Sequence, residues 1–198
     1  MEEKDFSVVL LAAGESRRMG KPKLSLPYSS GRSFVERCVE LFLDFGCSRL
    51  ALVVNGRGMQ YLQELSAAWP PRVLPLLNDA PEKGRFLSLQ IGLRALCPGA
   101  YVFLHNVDNP FVSEGILGDL ASRAGTADYI RPLCRGRHGH PVLISPRVAS
   151  DILRESREVV NVRDYLQRYT QAFVESPDEG VLVNINSPED YKRYFPLT

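Results

Sequence analysis

Residues 6–23 read FSVVLLAAGESRRMGKPK, an apolar run that passes directly into a loop of small residues and cations. Residues 6–11 are apolar at nearly every position, which is typical of a strand that is covered on both faces in a parallel α/β sheet. Open sheets of this kind bind ligands at the carboxyl ends of their strands. The loop that follows this strand is therefore the first candidate for a binding site.

Short apolar runs alternate with helical patterns along the rest of the chain. The predicted strands are 6–11, 50–54, 73–77, 100–104, 127–130, 141–144 and 181–185. The predicted helices are 34–45, 59–68, 86–96, 114–123, 147–155, 162–168 and 188–194, with capping signals at Ser33 and Ser187. We expect an α/β fold, a Rossmann-like three-layer sandwich with a mostly parallel central sheet of about seven strands. The sequence has neither a repeat nor a linker, so residues 1–198 are expected to form a single domain.

The composition argues against several classes of partner. Lys and Arg number 24 against 23 Asp and Glu, and a net charge of +1 provides no general field for nucleic acid or for an anionic membrane. The apolar run 8–13 is far too short to span a bilayer. The cysteines Cys38, Cys47, Cys97 and Cys134 form no Cys-x-x-Cys pair, which favours reduced thiols over a zinc or redox motif. We expect a cytoplasmic protein that binds neither nucleic acid nor membrane.

The loop at residues 12–23 has the composition of a phosphate site. Small residues at Ala12, Ala13 and Gly14 allow the backbone to approach a ligand closely and to direct N–H groups at phosphate oxygens. The cations that follow are Arg17, Arg18, Lys21 and Lys23. The loop matches neither the P-loop nor the G-x-G-x-x-G dinucleotide motif, so the sequence indicates neither a P-loop ATPase nor a dinucleotide-dependent dehydrogenase. On charge and glycine alone, a solvated basic turn is the alternative.

The run from Leu11 to Lys23 resembles the signature loop of the MobA-like nucleotidyltransferases, L-A-[AG]-G-x-S-x-R-M-G-x-x-K, and matches it without a gap. Its Ala-Ala-Gly form, followed by Pro22-Lys23-Leu24, is similar to the branch of molybdenum cofactor cytidylyltransferases. The resemblance implies that the amides of residues 12–14 receive a nucleoside triphosphate. It also implies that Arg18 holds the leaving pyrophosphate and that Lys23 stabilises charge near the α-phosphate.

Asp108 follows the fourth predicted strand, in the sequence Asp108-Asn109-Pro110. A carboxylate there suits Mg²⁺, which takes one or two protein oxygens and shares its other positions with water and phosphates. An Asp before a proline also commonly braces a turn. The resemblance favours the metal, because the family has an Asp-x-Pro motif whose Asp binds it. Asn186 lies in a segment similar to the family's D-[IV]-[DN]-T-P-E-D run and is expected to reach the metal, to orient its water, or to complete a helix cap.

Three further segments resemble nucleotide-binding parts of the family. Asn78, Gly84 and Ser88 match a stretch that can read base and ribose, although a turn glycine and a first-turn hydroxyl are the alternative. Asn55 follows the second strand, where the guanylyltransferases direct an Asn towards the nucleotide. The expected nucleotide-binding residues are Leu11, Ala12, Ala13, Gly14, Lys23, Asn55, Asn78, Gly84 and Ser88, and the expected catalytic residues are Arg18, Lys23 and Asp108.

The run Arg135-Gly136-Arg137-His138-Gly139-His140-Pro141-Val142 brings two arginines and two histidines onto one loop. Alternation along an extended chain would point the histidines apart, which argues against zinc. The resemblance implies that this loop faces the second substrate, and an exposed basic hairpin is the alternative. Arg163 is what remains of the family's Gly-Asp-x-Gly-x-Arg run, which residues 155–163 otherwise lack. The expected acceptor-binding residues are Arg135, His140 and Arg163.

The function implied by the resemblance is nucleotidyl transfer from CTP, with Mg²⁺, to the phosphate of molybdopterin or molybdenum cofactor. A sugar-phosphate or alditol-phosphate nucleotidyltransferase is the second hypothesis. The third is a non-catalytic carrier of the cofactor. A molybdoenzyme or its chaperone is the protein partner that the resemblance suggests. Which base and which acceptor are used stays open at this point.

Overall fold

The computed structural model describes residues 4–65, 69–157 and 160–196. The strands are β1 Phe6–Ala12, β2 Pro27–Ser29, β3 Arg32–Ser33, β4 Arg49–Val54, β5 Val73–Leu77, β6 Tyr101–Asn106, β7 Tyr129–Cys134, β8 Arg137–His138, β9 Val142–Ile144 and β10 Gln171–Glu175. The helices are α1 Phe34–Asp44, α2 Gly56–Glu64, α3 Arg85–Arg94, α4 Glu114–Ser122, α5 Pro146–Arg154, α6 Val162–Leu166 and α7 Pro188–Tyr194. Residues 66–68 of the second predicted helix lie outside the described residues.

The central sheet is mixed but mostly parallel, as expected. Its order is β10-β7-β9-β6-β1-β4-β5, and β8 adds an eighth strand by pairing with β7. Strand β1 is parallel to both β4 and β6, while β9 runs antiparallel to β6 and to β7. The carboxyl ends of β1, β4, β5 and β6 therefore meet at one edge, where the loops after these strands come together.

Two apolar cores cover the faces of the sheet and make the three layers. Alternate residues of β1 point to opposite sides, so Val8 and Leu10 pack into the core beneath α1, α2 and α4. Val9 packs into the other core, beneath α3, α5 and α6. Helix α3 lies so close to the sheet that a Cβ on Gly92 would stand 2.5 Å from Cγ1 of Val9. A glycine is required there because any side chain would push the helix away from β1.

The prediction of a last strand at residues 181–185 is wrong. That segment begins in a 3₁₀ turn, Glu179–Leu182, and continues as irregular chain, while the strand at the sheet edge is β10, parallel to β7. Val181 and Ile185 are fully buried, so their apolar pattern reports packing against the core rather than pairing in the sheet. A search of the described residues for a helix of sufficient length and hydropathy to cross a membrane finds none.

Candidate active site

The loop after β1 is held by its own hydrogen bonds before any ligand binds. Ser16 has left-handed backbone angles (φ 53°) and its hydroxyl accepts the N–H of Lys23 at 3.2 Å, which closes the loop. From the N-cap of α2, directly after β4, the Asn55 amide donates to the carbonyls of Ala13 and Gly14 at 3.1 and 3.2 Å. With both carbonyls held from behind, the loop backbone keeps a fixed shape at the mouth of the site.

Lys23, Asp108 and Asn186 meet although 85 and 163 residues separate the lysine from its two partners. The ammonium group of Lys23 donates to Oδ2 of Asp108 at 2.8 Å and to Oδ1 of Asn186 at 2.6 Å. Only 17% of the lysine side chain and 10% of the aspartate side chain are exposed, so solvent screens this ion pair weakly. The other carboxylate oxygen, Oδ1 of Asp108, is buried and has no hydrogen-bond partner among the described residues.

Backbone hydrogen bonds place the two oxygen donors. The N–H of Ile185 donates to the carbonyl of Asp108 at 2.8 Å, which ties the loop after β6 to the segment before α7. The side chain of Asp190 accepts the N–H groups of Asn186 and Ser187, each at 2.9 Å, in the capping box of α7. These bonds, led by the one from Asn186, hold the pKa of Asp190 below its usual value. The cap thus fixes Asn186 next to Lys23.

A cleft of about 220 Å³ opens in front of this group. Its lining comprises Leu11, Ala12, Ala13, Gly14, Ser16, Arg17, Arg18, Lys23, Arg85, Ser88, Asn106, Val107, Asp108 and Asn186. A Cβ on Gly14 would meet no protein atom within 4 Å, so the space before the loop is open. Arg18 is exposed, and no salt bridge to it occurs within the described ranges. We call this space the small cleft.

A second and larger cleft, of about 1220 Å³, adjoins the first. It lies between the start of α3, the β7–β9 region and α6, and it shares Leu11, Arg85 and Asn106 with the small cleft. Its lining includes Gly84, His138, His140 and Arg163, and we call it the large cleft. The two clefts therefore share a border that Leu11, Arg85 and Asn106 form.

The family of this chain follows from its similarity to known proteins. The MobA-like NTP transferase domain matches residues 8–175. The chain belongs to the MobA-like NTP transferase family. It is 28% identical to the molybdenum cofactor cytidylyltransferase of Escherichia coli (strain K12), over 92% of each chain. It is 29% identical to a molybdenum cofactor guanylyltransferase of Cereibacter sphaeroides, over 93% of each. The resemblance read from residues 11–23 is confirmed.

The fold is shared with a crystal structure of Rv0371C in complex with manganese from Mycobacterium tuberculosis H37Rv. The TM-score is 0.76 at 20% identity, over 98% of this chain and all of that one. The family model and the two relatives named above are nucleotidyltransferases, so this chain is a nucleotidyltransferase similar to those named for molybdenum cofactor.

Most of the site residues predicted from the sequence converge in the small cleft. Leu11, Ala12, Ala13, Gly14, Arg18, Lys23, Ser88, Asp108 and Asn186 all line it. Gly84 lies in the large cleft, in the left-handed region at φ 91°, and precedes the first residue of α3. Asn55 and Asn78 line neither cleft. Asn55 supports the loop and caps α2, while the fully buried Asn78 donates to the Ser88 hydroxyl at 2.8 Å. Both act behind the lining.

The predicted acceptor residues separate. His140 and Arg163 line the large cleft, whereas Arg135 lies outside both clefts in an exposed turn. Its guanidinium pairs with the carboxylate of Glu179. This placement separates Arg135 from the other two residues, and its role in acceptor binding stays a prediction. The prediction for His140 and Arg163 stays open to experiment.

Histidines near the site are held neutral by their surroundings. Burial, reinforced by nearby His140, lowers the pKa of His105 to about 3, and its Nε2 bonds the carbonyl of Asn109 at 2.8 Å. Burial also lowers the pKa of His140, an effect opposed by Asp108 and reinforced by Arg85 and Arg131. The side chain of His140 lies 3.4 Å from Asn106. These rings shape the site without adding charge at neutral pH.

Sequence reasoning missed Arg85 and Arg131. Arg85 is the first residue of α3 and lines both clefts. A cation at a helix N-terminus opposes the helix dipole, which is a signal that could have drawn attention to it. Arg131 lies within β7, one residue beyond the predicted strand end at 130. A charged residue directly after an apolar run was the corresponding signal there.

Proposed function

We propose that the chain transfers CMP from CTP to the phosphate of molybdopterin or molybdenum cofactor and releases pyrophosphate. The observation that carries this proposal is the contact of Lys23 with Asp108 and Asn186 at the base of a small cleft bordered by the MobA-like loop. The large cleft beside it offers room for an acceptor of the size of a pterin. The cytidylyltransferase of Escherichia coli, 28% identical, supports this choice of donor and acceptor.

In the proposed reaction an oxygen of the acceptor phosphate attacks the α-phosphorus of CTP. The bond from that phosphorus to the bridging oxygen of the β-phosphate breaks, and its electron pair leaves with pyrophosphate. Because the attacking phosphate is already ionised at neutral pH, no side chain has to remove a proton. Catalysis of this kind depends on positioning and on stabilising negative charge.

The chain supplies this stabilisation from several directions. The amides of residues 12–14 receive the triphosphate, and Arg18 meets the leaving pyrophosphate from the exposed side of the small cleft. Lys23 acts near the α-phosphate, where Asp108 and Asn186 hold its ammonium group in place. Arg85, which lines both clefts, is positioned for the two phosphates that must approach each other.

A divalent cation fits the oxygen donors of this site. Asp108 presents a buried Oδ1 without a hydrogen-bond partner among the described residues, and Asn186 presents a carbonyl oxygen 2.6 Å from Lys23. Mg²⁺ commonly takes one or two such protein oxygens and completes its shell with water and phosphates. When bound, it would neutralise phosphate charge. The manganese complex of Rv0371C supports divalent metal use in proteins of this fold.

A thermal-shift panel of CTP, GTP, ATP and UTP, each with Mg²⁺, tests the choice of nucleotide. A ligand that binds only the folded state raises the melting temperature, and we expect the largest rise with CTP. A larger rise with GTP, or equal rises, would refute the cytidylyl assignment. No rise with any of the four would refute nucleotide binding itself.

Pyrophosphate release on mixing nucleotide, Mg²⁺ and molybdopterin tests the transfer. We expect release that depends on the acceptor. A non-catalytic carrier would bind the cofactor and release none. Release with an alditol phosphate but not with molybdopterin would move the assignment to the second hypothesis.

A further inference from the structure

The large cleft has an excess of positive charge. Five cationic side chains line it, Lys83, Arg85, Arg131, Arg137 and Arg163, against the single carboxylate of Glu82. Within residues 4–65, 69–157 and 160–196, none of the five forms a salt bridge. Elsewhere on the surface, arginines do pair with carboxylates, as Arg135 does with Glu179. Unpaired cations that share a concave surface indicate an anionic ligand.

Arg131 is the cation of this group that the fold holds most firmly. Its Nη2 donates to the side-chain oxygen of Gln171 at 3.2 Å, and that oxygen also accepts the hydroxyl of Tyr129 at 2.7 Å. The guanidinium lies over the rings of Tyr129 and Phe173, at 5.7 and 5.6 Å. Its Nε is buried and has no hydrogen-bond partner among the described residues. The fold therefore fixes the side chain in place and leaves part of its hydrogen-bonding capacity unused.

The charges around Arg131 act on one another. Burial lowers the pKa of the Arg131 guanidinium, and the charge of Arg163 acts in the same direction. Burial likewise lowers the pKa of His138, and the charges of Arg131 and Arg163 lower it further. His138 stacks on Phe173 at 5.2 Å between ring centroids, which keeps it in the same cluster. The protein without ligand thus maintains a concentration of positive potential that an anion would relieve.

This cluster is separate from the place of the reacting phosphates. Arg131 and Arg163 line the large cleft but not the small one, whereas Arg85 lines both. An acceptor phosphate that attacks CTP must lie near Arg85. An anion held by Arg131 and Arg163 would lie in the part of the large cleft that these two residues line, and neither residue reaches the small cleft.

We propose that Arg131 and Arg163 form a second anion subsite, which binds an anionic group of the acceptor other than its attacking phosphate. The assignment of the anion to the acceptor rests on the proposed function. It names the acceptor class as a phosphorylated molecule with a second negatively charged group. A polyol with one phosphate has no such group and would leave the subsite unfilled.

Isothermal titration calorimetry tests the subsite. Inorganic molybdate, and separately sulfate, is titrated into protein saturated with Mg²⁺ and CTP, because nucleotide in the small cleft leaves the large cleft as the place for the anion. We expect one anion per chain. We expect Arg131→Gln to weaken its binding by at least about tenfold, on the scale of one charge-assisted hydrogen bond. Arg163 is exposed on α6, so Arg163→Gln tests the same cluster if Arg131→Gln does not fold. The matched control is Arg94→Gln, an exposed arginine at the end of α3 that lines neither cleft, and we expect it to bind as the wild type does.

Failure of this proposal and failure of the proposed function give different results. If the wild type binds no anion, or if Arg131→Gln and Arg163→Gln bind it unchanged, the subsite is refuted whatever the nucleotide does. If no nucleotide raises the melting temperature, the proposed function fails. In that case the same titrations without nucleotide would still establish an anion site that depends on Arg131, or refute it. Loss of anion binding with an unchanged CTP shift in Arg131→Gln supports both proposals.

Discussion

The two clefts treat positive charge in opposite ways. In the small cleft, Lys23 already has partners, and Asp108 and Asn186 fix its direction before a ligand arrives. In the large cleft, Arg131 and Arg163 have neutral hydrogen-bond neighbours at most among the described residues. A paired lysine is suited to exact placement at a reacting phosphorus, whereas unpaired arginines are suited to attract and hold a ligand. This difference agrees with the proposal that the small cleft is organised for chemistry and the large cleft for recognition.

Substitutions at Asp108 and Lys23 should have the largest effect. We expect Asp108→Asn and Lys23→Ala each to lower kcat by at least about 10²-fold, the scale on which a preorganised electrostatic group acts. Each removes part of the ion pair that positions charge near the α-phosphate. Turnover in the presence of saturating nucleotide and Mg²⁺ measures this.

Asp119→Asn is the control for the loss of a carboxylate, because Asp119 is exposed on α4 and lines neither cleft. Circular dichroism establishes that each variant is folded. If both variants turn over at the wild-type rate, the small cleft is not the reaction site and the contrast between the clefts collapses.

Arg85 should show an intermediate effect, since it belongs to both clefts. We expect Arg85→Gln to lower kcat/KM by about tenfold for nucleotide and for acceptor, which corresponds to one charge-assisted hydrogen bond. Steady-state kinetics with each substrate varied in turn measures the two values. The control is Arg94→Gln, an exposed arginine at the other end of α3. If kcat/KM falls for the acceptor alone, Arg85 acts in the large cleft only, and the border between the two clefts does not lie at this residue.

The small cleft could be predicted because most of its lining is contiguous in sequence. Residues 11–23 supply the loop, and a strand end supplies Asp108, so local patterns were sufficient to name them. What the patterns could not show was the hydrogen bonding of Lys23 to Asp108 and Asn186, which depends on how the segment before α7 crosses the end of β6.

The large cleft could not be predicted in the same way. Its arginines come from α3, β7, β8 and α6, and only the sheet order brings these elements together. The order of the sheet edge also escaped prediction, since β10 pairs with β7 while the more apolar 181–185 run packs into the core. Arg135 and Arg131 are four residues apart, yet one is paired on the surface and the other faces the cleft. Composition cannot separate such neighbours, because the strand and turn geometry decides which side chain points inward.

Substitution of Asn55 should have the smallest effect on CTP binding. It tests whether support from behind the loop distinguishes the small cleft from the large one. Asn55→Ala removes the cap of α2 and the two hydrogen bonds to Ala13 and Gly14. Loss of the cap should lower the free energy of unfolding by about 1 kcal/mol. Loss of support for the loop should weaken CTP binding by about fivefold, since about 1 kcal/mol is the net value of a typical hydrogen bond. Ser145→Ala is the matched control, because Ser145 caps α5 and lines neither cleft.

We expect chemical denaturation to give similar losses of stability for the two cap variants, and titration with CTP to separate them. Ser145→Ala should bind CTP as the wild type does, because its helix does not support the loop. Anion binding at Arg131 should be unchanged in both variants, since neither cap contacts the large cleft. Equal weakening of CTP binding would mean that general destabilisation loosens the site. The loop would then have no dedicated support, and the preorganisation that distinguishes the small cleft would have to come from Lys23 and its partners alone.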